Sequence, residues 1–365
     1  MAPPFRAEHI GSLLRPRSLT RAFRRLAARE IDAAAYMLVQ NAAIREVVEL
    51  QARVGLRLAT DGEFRRASYW SHFVESVQGL AVAPSLFHFR DEHGARQEFL
   101  APTCTGHLAR KHPISVNEFR FLSRATQAVP KLTLPSPPTM HFWRGRAGID
   151  QGYASLDTFL ADLAAIYVQE LADLAVAGCR YVQLDEVPLA MLCDPEVRAV
   201  VEERGENPDR LVALYIESIN AAIAGCPEEM AVGLHLCRGN HKGKFLAEGG
   251  YDWVAERLFA DCMVDAFFLE YDTPRAGDFA PLRFLRPGCQ AVLGLVSSKT
   301  AALEPVDMLR RRIDEAARIV PLDRLAISPQ CGFASSVSGN PVTPEDQEAK
   351  LRLVVDTARA VWGTA

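Results

Sequence analysis

No window of the sequence holds about 18 consecutive apolar residues, the length a membrane-spanning helix needs. The opening segment MAPPFRAEHIGSLLRP carries charges where a secretory signal would need its apolar stretch, so a cytoplasmic location without a membrane partner is expected. Charge of one sign is lacking too: 41 Lys and Arg stand against 45 Asp and Glu, and the net charge of -4 offers no electrostatic footprint for nucleic acid. The basic run RAFRR (21–25) reads as the charged face of a surface helix. No GxGxxG turn follows an early strand, which argues against an open doubly wound dinucleotide-binding sheet. Eight cysteines are present, but their irregular spacing (104, 179, 193, 226, 237, 262, 289 and 331) lacks the pattern of a secreted disulfide framework. Most are expected to be small buried apolar groups.

What is present is ample core: 49% of the 365 residues are hydrophobic and 24% charged, enough for two small domains or one large barrel. Apolar residues recur at helical spacing in Ala43, Ile44, Val47, Val48 and Val54, stopped by Gly55. The same spacing recurs in Phe159 to Leu174, stopped by Gly178, and in Val212 to Ile223. In TPED (343–346), Thr343 caps a last helix with Pro344 in its first turn. Between the helices lie apolar β-prone runs: HIGSL (9–13), RLAT (57–60), KLTLPS (131–136), YVQLDE (181–186), VGLHLC (232–237), AFFLEY (266–271), AVLGLV (291–296) and LAISPQ (325–330). Nearly continuous apolar strands separated by helix-length connections predict parallel strands buried on both faces, and eight such units predict an α/β fold, a single (β/α)8 TIM barrel over 1–365. The gap after RLAT is too long for one helix. LFHFRDEHGARQEFL (86–100) predicts a β-hairpin excursion, inserted at about 70–130 between the second and third barrel strands.

His235 and Cys237, at i and i+2, share one face at the C-terminal end of their strand, where barrels carry their active sites. Alone, HxC would read as a core histidine beside a buried cysteine. Glu270 ends the next strand inside an apolar run, where a carboxylate needs a partner or a metal, and Cys331 ends the last. One imidazole, two thiolates and one carboxylate converging on the barrel mouth form a zinc set. Thiolate-rich zinc is a poor source of hydroxide and suits binding and activating a substrate thiol. Glu63, Asp185, Glu186, Gly11 and Ser12 at other strand ends are placed to hold an amino acid by its ammonium and carboxylate, although Asp185 or Glu186 pairing with Arg65 or Arg66 is the plainer alternative. Phe142 and Trp143 either pack or offer a flat surface to a pterin. Lys299 is either a solvated loop residue or, if zinc and burial together lower its pKa, an acid for a leaving nitrogen. His241 reads as a loop residue beyond the strand.

In this order, HIGSLLRP, TDGEFRR, QLDEVPL, LHLCRGN, FFLEYD, LGLVSSKT and SPQCGFAS resemble the catalytic barrel of cobalamin-independent methionine synthases, specifically their short single-barrel relatives, from about residue 5 to the C-terminus. The resemblance implies zinc at His235, Cys237, Glu270 and Cys331. It also implies homocysteine contacts at Ile10, Gly11, Ser12, Glu63 and Asp185, Trp143 beside the folate, and methyl transfer from 5-methyltetrahydrofolate to homocysteine. Only the C-terminal barrel of the two-barrel enzymes is matched, Lys299 stands where they place a histidine implicated in protonation, Ser297 replaces a neighbouring aspartate, and the 70–130 excursion has no clear counterpart. A methylcobamide protein as donor, an alkyltransferase resembling epoxyalkane:coenzyme M transferase, and a non-catalytic zinc- or thiol-binding barrel are the competing expectations.

Overall fold

The computed structural model describes residues 3–90 and 96–365. Twelve strands run along these residues: β1 (Leu58–Ala59), β2 (Val77–Pro84), β3 (Phe89–Arg90), β4 (Arg96–Gln97), β5 (Leu100–Arg110), β6 (Val129–Pro130), β7 (Leu132–Pro135), β8 (Tyr181–Glu186), β9 (Ala231–Leu236), β10 (Ala266–Glu270), β11 (Gln290–Val296) and β12 (Leu325–Pro329). Strands β7 to β12 form one parallel sheet in sequential order. Almost every residue in them is buried, as continuous apolar runs covered on both faces require. Helices Leu156–Val176, Pro208–Ile223, Asp252–Asp261 and Val306–Ala317 make most of the crossovers. Between β10 and β11 the chain instead makes two short 3-10 turns, Pro274–Ala276 and Ala280–Phe284.

β1 pairs in parallel with β6, and the Lys131 amide donates to the Ala59 carbonyl at 2.8 Å, so this pair continues the sheet beside β7. On the far side Ala7 bridges Ile327 of β12. The expected first strand, 9–13, runs in this place but is not a regular strand. Its carbonyls are taken by side chains: Thr60 Oγ1 donates to Gly11 at 2.7 Å, Gln183 to Ile10 at 2.6 Å, and Lys131 to His9. Gly11 sits at φ 128°, and a Cβ there would lie 2.6 Å from Thr133 Cγ2, so the chain turns where only glycine fits.

The excursion carries two antiparallel pairings, β2 with β5 and β3 with β4. The ladder is wider than the expected 86–100, reaching from Val77 to Arg110. The glycine-containing turn expected within 86–100 falls on residues 91–95, outside the described residues. A bridge from Arg90 to Phe245 ties the ladder to the loop after β9. The last helix, Pro344–Trp362, begins at the predicted Thr343 cap, which forms a reciprocal capping box with Asp346, and Gly55 ends helix Ala33–Val54 in the left-handed conformation. Among the described residues, no helix is long and apolar enough to cross a membrane.

Candidate metal centre and its pocket

The sheet register sets Asp185, His235 and Phe268 side by side on β8, β9 and β10. Cys237 follows β9 directly and Cys331 follows β12. The ligand atoms of His235, Cys237 and Cys331 lie within 4.8 Å of one another, all three residues buried. The two sulfurs are 3.7 Å apart. Their mutual hydrogen bond, helped by His235, holds the Cys331 thiol well below the ordinary thiol range and pushes Cys237 well above it. Burial pulls His235 down, but its hydrogen bond to Asp185 and the neighbouring Cys331 outweigh this and raise it to about 10. Nδ1 of His235 meets Asp185 Oδ1 at 3.0 Å, while its Nε2 is buried with no partner among the described residues but the Cys331 sulfur. An imidazole nitrogen left bare beside two sulfurs, with its other nitrogen oriented by a carboxylate, is the arrangement of a histidine prepared for a soft divalent metal.

Glu270, the fourth residue expected in this group, is spoken for elsewhere. It accepts from Lys299 Nζ at 3.0 Å and from the Arg238 amide at 2.7 Å. Burial alone would raise its carboxyl, yet Lys299 and Arg238 bring it down to about 2. Burial by itself would lower Lys299, as expected, but Glu270 and Asp272 outweigh it and raise the lysine.

A cavity of about 180 Å³ opens over the three donors, lined by Ile10, Ser12, Glu63, Asp185 and Trp143 among others; Lys299 is not part of its wall. Glu63 accepts from Thr133 Oγ1 at 2.9 Å, and burial pushes its carboxyl up to about 7. Among the described residues neither Asp185 nor Glu186 forms an arginine ion pair: Asp185 is bonded to Gln183 and His235, Glu186 to Ser136 and the Leu189 amide. Gly11 does not itself line the cavity, but its lack of a Cβ lets Thr133, the hydroxyl partner of Glu63, close in behind the wall. Trp143 stands edge-on to Phe99 at 5.3 Å, its Nε1 unpartnered, whereas Phe142 stacks on Phe87 at 5.0 Å and is packing. The excursion supplies Phe89, Phe99 and Leu100 to the outer wall.

Residues 5–360 match the family model of the cobalamin-independent synthase catalytic domain. The chain belongs to this family. Membership places it among enzymes of the thiol S-methyltransferase type. This synthase-family chain is 42% identical over 368 residues to the uncharacterized protein YxjG of Bacillus subtilis (strain 168), covering 99% of this chain and 95% of that one. It is 27% identical over 325 residues to a methionine synthase of Pyrococcus abyssi (strain GE5 / Orsay), covering 89% of this chain and 85% of the relative. A crystal structure from Listeria monocytogenes, provisionally described as a vitamin-B12 independent methionine synthase, aligns with a TM-score of 0.78 at 34% identity, covering 100% of this chain and 99% of that one.

Several pocket residues of this synthase domain escape sequence reasoning. Tyr69 lines the cavity with its hydroxyl buried beside Thr139. His241, expected to be a bystander, lines it too and lies against Phe89 at 5.2 Å and Gln97 at 3.0 Å. Asn240 donates to the Gly332 carbonyl at 2.9 Å, joining the two cysteine-bearing loops. The available signal was position alone: each follows a strand end that carries a stronger candidate.

Proposed function

We propose that the protein is a zinc-dependent methyltransferase that moves a methyl group from 5-methyltetrahydrofolate to the thiol of homocysteine, forming methionine. The observation that carries this reading is the buried His235, Cys237 and Cys331 group at the floor of the cavity. Its donors fit zinc: two sulfurs select a soft metal, and among the described residues the buried Nε2 of His235 has no partner but the Cys331 sulfur. When bound, zinc would lower the pKa of a substrate thiol and hold it as thiolate at neutral pH. Glu270 would join the donors only by leaving Lys299 and the Arg238 amide.

In this reading Glu63 and Asp185 hold the substrate ammonium, and the segment Ile10, Gly11 and Ser12 holds its carboxylate. A sulfonate-bearing thiol would instead need cations where these acids line the wall, which favours an amino-acid thiol. Trp143, with Phe89 and Phe99, gives the outer cavity flat apolar walls suited to a pterin rather than to a protein-borne cobamide. The sulfur attacks the methyl carbon, the S–C bond forms as the bond to N5 breaks, and N5 takes a proton. Lys299 is the proposed source of that proton, which it could give only by leaving Glu270 and reaching into the cavity, whose wall it does not form here. The barrel contributes alignment of the two substrates. The same reading takes the chain as one closed (β/α)8 barrel with the excursion inserted in it. Its support is the Ala7–Ile327 bridge at one edge and the Leu13–Gly62 and Lys131–Ala59 hydrogen bonds at the other.

The test is metal analysis of the purified protein joined to methyl-transfer assays with methyltetrahydrofolate, its polyglutamyl form and methylcobalamin in parallel. The expected result is about one zinc per chain and methionine from homocysteine with the folate donor. The variant Cys237→Ser should lose metal and activity together. Tight zinc with no methionine from any donor would establish a non-catalytic metal-binding barrel instead, and full zinc occupancy in Cys237→Ser would remove that ligand.

A further inference from the structure

Below the metal-directed residues, the inner face of β8 carries Tyr181, Gln183 and Asp185 at alternate positions. Gln183 and the neighbouring Lys131 are buried, and neither lines the cavity. A buried ion pair is weak evidence for stability, because desolvation offsets most of its attraction. The pairing of Lys131 with Glu8, 3.1 Å apart under the Phe268 and Tyr181 rings, therefore calls for another reason.

Gln183 provides one. Its side-chain carbonyl accepts from Lys131 Nζ at 3.1 Å, and its amide nitrogen donates to the Ile10 carbonyl at 2.6 Å and to Asp185 Oδ1 at 2.7 Å. Turning this amide over would set its N–H groups against the ammonium and its oxygen against two acceptors, so Lys131 decides which way it faces. Asp185 Oδ1, already accepting from Gln183, lies 3.0 Å from His235 Nδ1 and accepts there as well. In the neutral imidazole that a metal requires, the hydrogen on His235 is thereby directed to Nδ1 and the lone pair to Nε2.

We infer that Gln183, oriented by Lys131, is a positioning residue that sets the substrate-anchoring carboxylate Asp185, the Ile10 carbonyl and the metal-directed face of His235 from one amide. The inference rests on the proposed thiol and metal roles of these three. Zinc and homocysteine then share one support, and the methyl donor, held at the outer wall, does not depend on it.

The experiment uses the full-length zinc-loaded protein and its Gln183→Leu and Lys131→Met variants. For Gln183→Leu, the homocysteine KM is expected to rise about 10- to 100-fold and zinc affinity, read by chelator competition, to fall by a similar factor, as for other residues that orient metal ligands. The donor KM should stay unchanged. Lys131→Met should give the same split, and the double variant should be no worse than Gln183→Leu, since both act through one amide. Loss spread equally over both substrates, additive losses in the double variant, or unchanged homocysteine KM and zinc affinity would each overturn the inference. Where Lys131→Met or Gln183→Leu fails to fold, Gln183→Asn, which keeps the amide but shortens its reach, must show the same split, and its absence there counts against the inference. Absence of methionine synthesis by the wild-type protein would sink the functional reading alone, since the zinc arm needs no turnover.

Discussion

Asp185 and Glu270 occupy matching places, each near the C-terminal end of a strand flanking β9, and each buried. Their partners differ. Asp185 turns inward to His235 and Gln183, and so serves the group of donors. Glu270 turns to Lys299 and the Arg238 amide, and so serves a charge pair that borders the group without entering it. A buried carboxylate must find a donor, and whichever neighbour reaches it first decides whether it orients, ligates or neutralises. On sequence alone, Glu270 looked like the ligand and Asp185 like the substrate contact.

The largest expected effect tests the Glu270 side. Lys299→Met leaves a buried carboxylate without its cation, and removing one partner of such a pair costs about 3–5 kcal/mol. Denaturant unfolding should show the loss, with methyl transfer reduced as well. A change below about 1 kcal/mol, the range of exposed pairs, would mean that the two carboxylates are not as differently engaged as their contacts indicate.

A third carboxylate sharpens the contrast on β8 itself. Glu186 follows Asp185 on the opposite face, where burial raises its carboxyl to about 8 despite hydrogen bonds from Ser136 and the Leu189 amide. The folded state therefore keeps a proton that the unfolded chain has released, and stability falls as pH rises from about 4.5, the unfolded value, through about 8. The expected decline is on the order of a few kcal/mol. Glu186→Gln should remove the larger share of it, leaving the part that Glu63, pushed up to about 7, contributes over the same range, as read from melting temperatures between those pH values, and an unchanged slope would place the proton elsewhere.

How much of this was legible follows from the range of each interaction. Strands β8 to β12 were readable to within a residue or so because continuous apolar runs such as AFFLEY allow little else. His235 and Cys237 were readable as one face because strand alternation is local. The first strand failed because Lys131, Thr60 and Gln183, distant in sequence, take the carbonyls that would have made a ladder. The Glu270–Lys299 pair failed likewise, since no pattern within either segment announces a partner across the strand ends. Residues His241 and Tyr69 gave no chemical signal at all until the loops carrying them met over the cavity.

The smallest effect decides the comparison most directly. Asp185→Asn keeps the size of the side chain but removes the charge that orients His235, and zinc affinity should fall about 10- to 100-fold, as when other partners of metal-bound histidines are changed. Glu270→Gln, by contrast, should cost less than about 10-fold in zinc affinity, because its carboxylate holds Lys299. Both variants can be titrated against the same chelator, so the ratio of the two losses is independent of the competitor chosen. A greater loss in Glu270→Gln would reverse the roles: Glu270 would be the fourth donor, drawn from Lys299 to the metal, and Asp185 would be free to act on substrate alone.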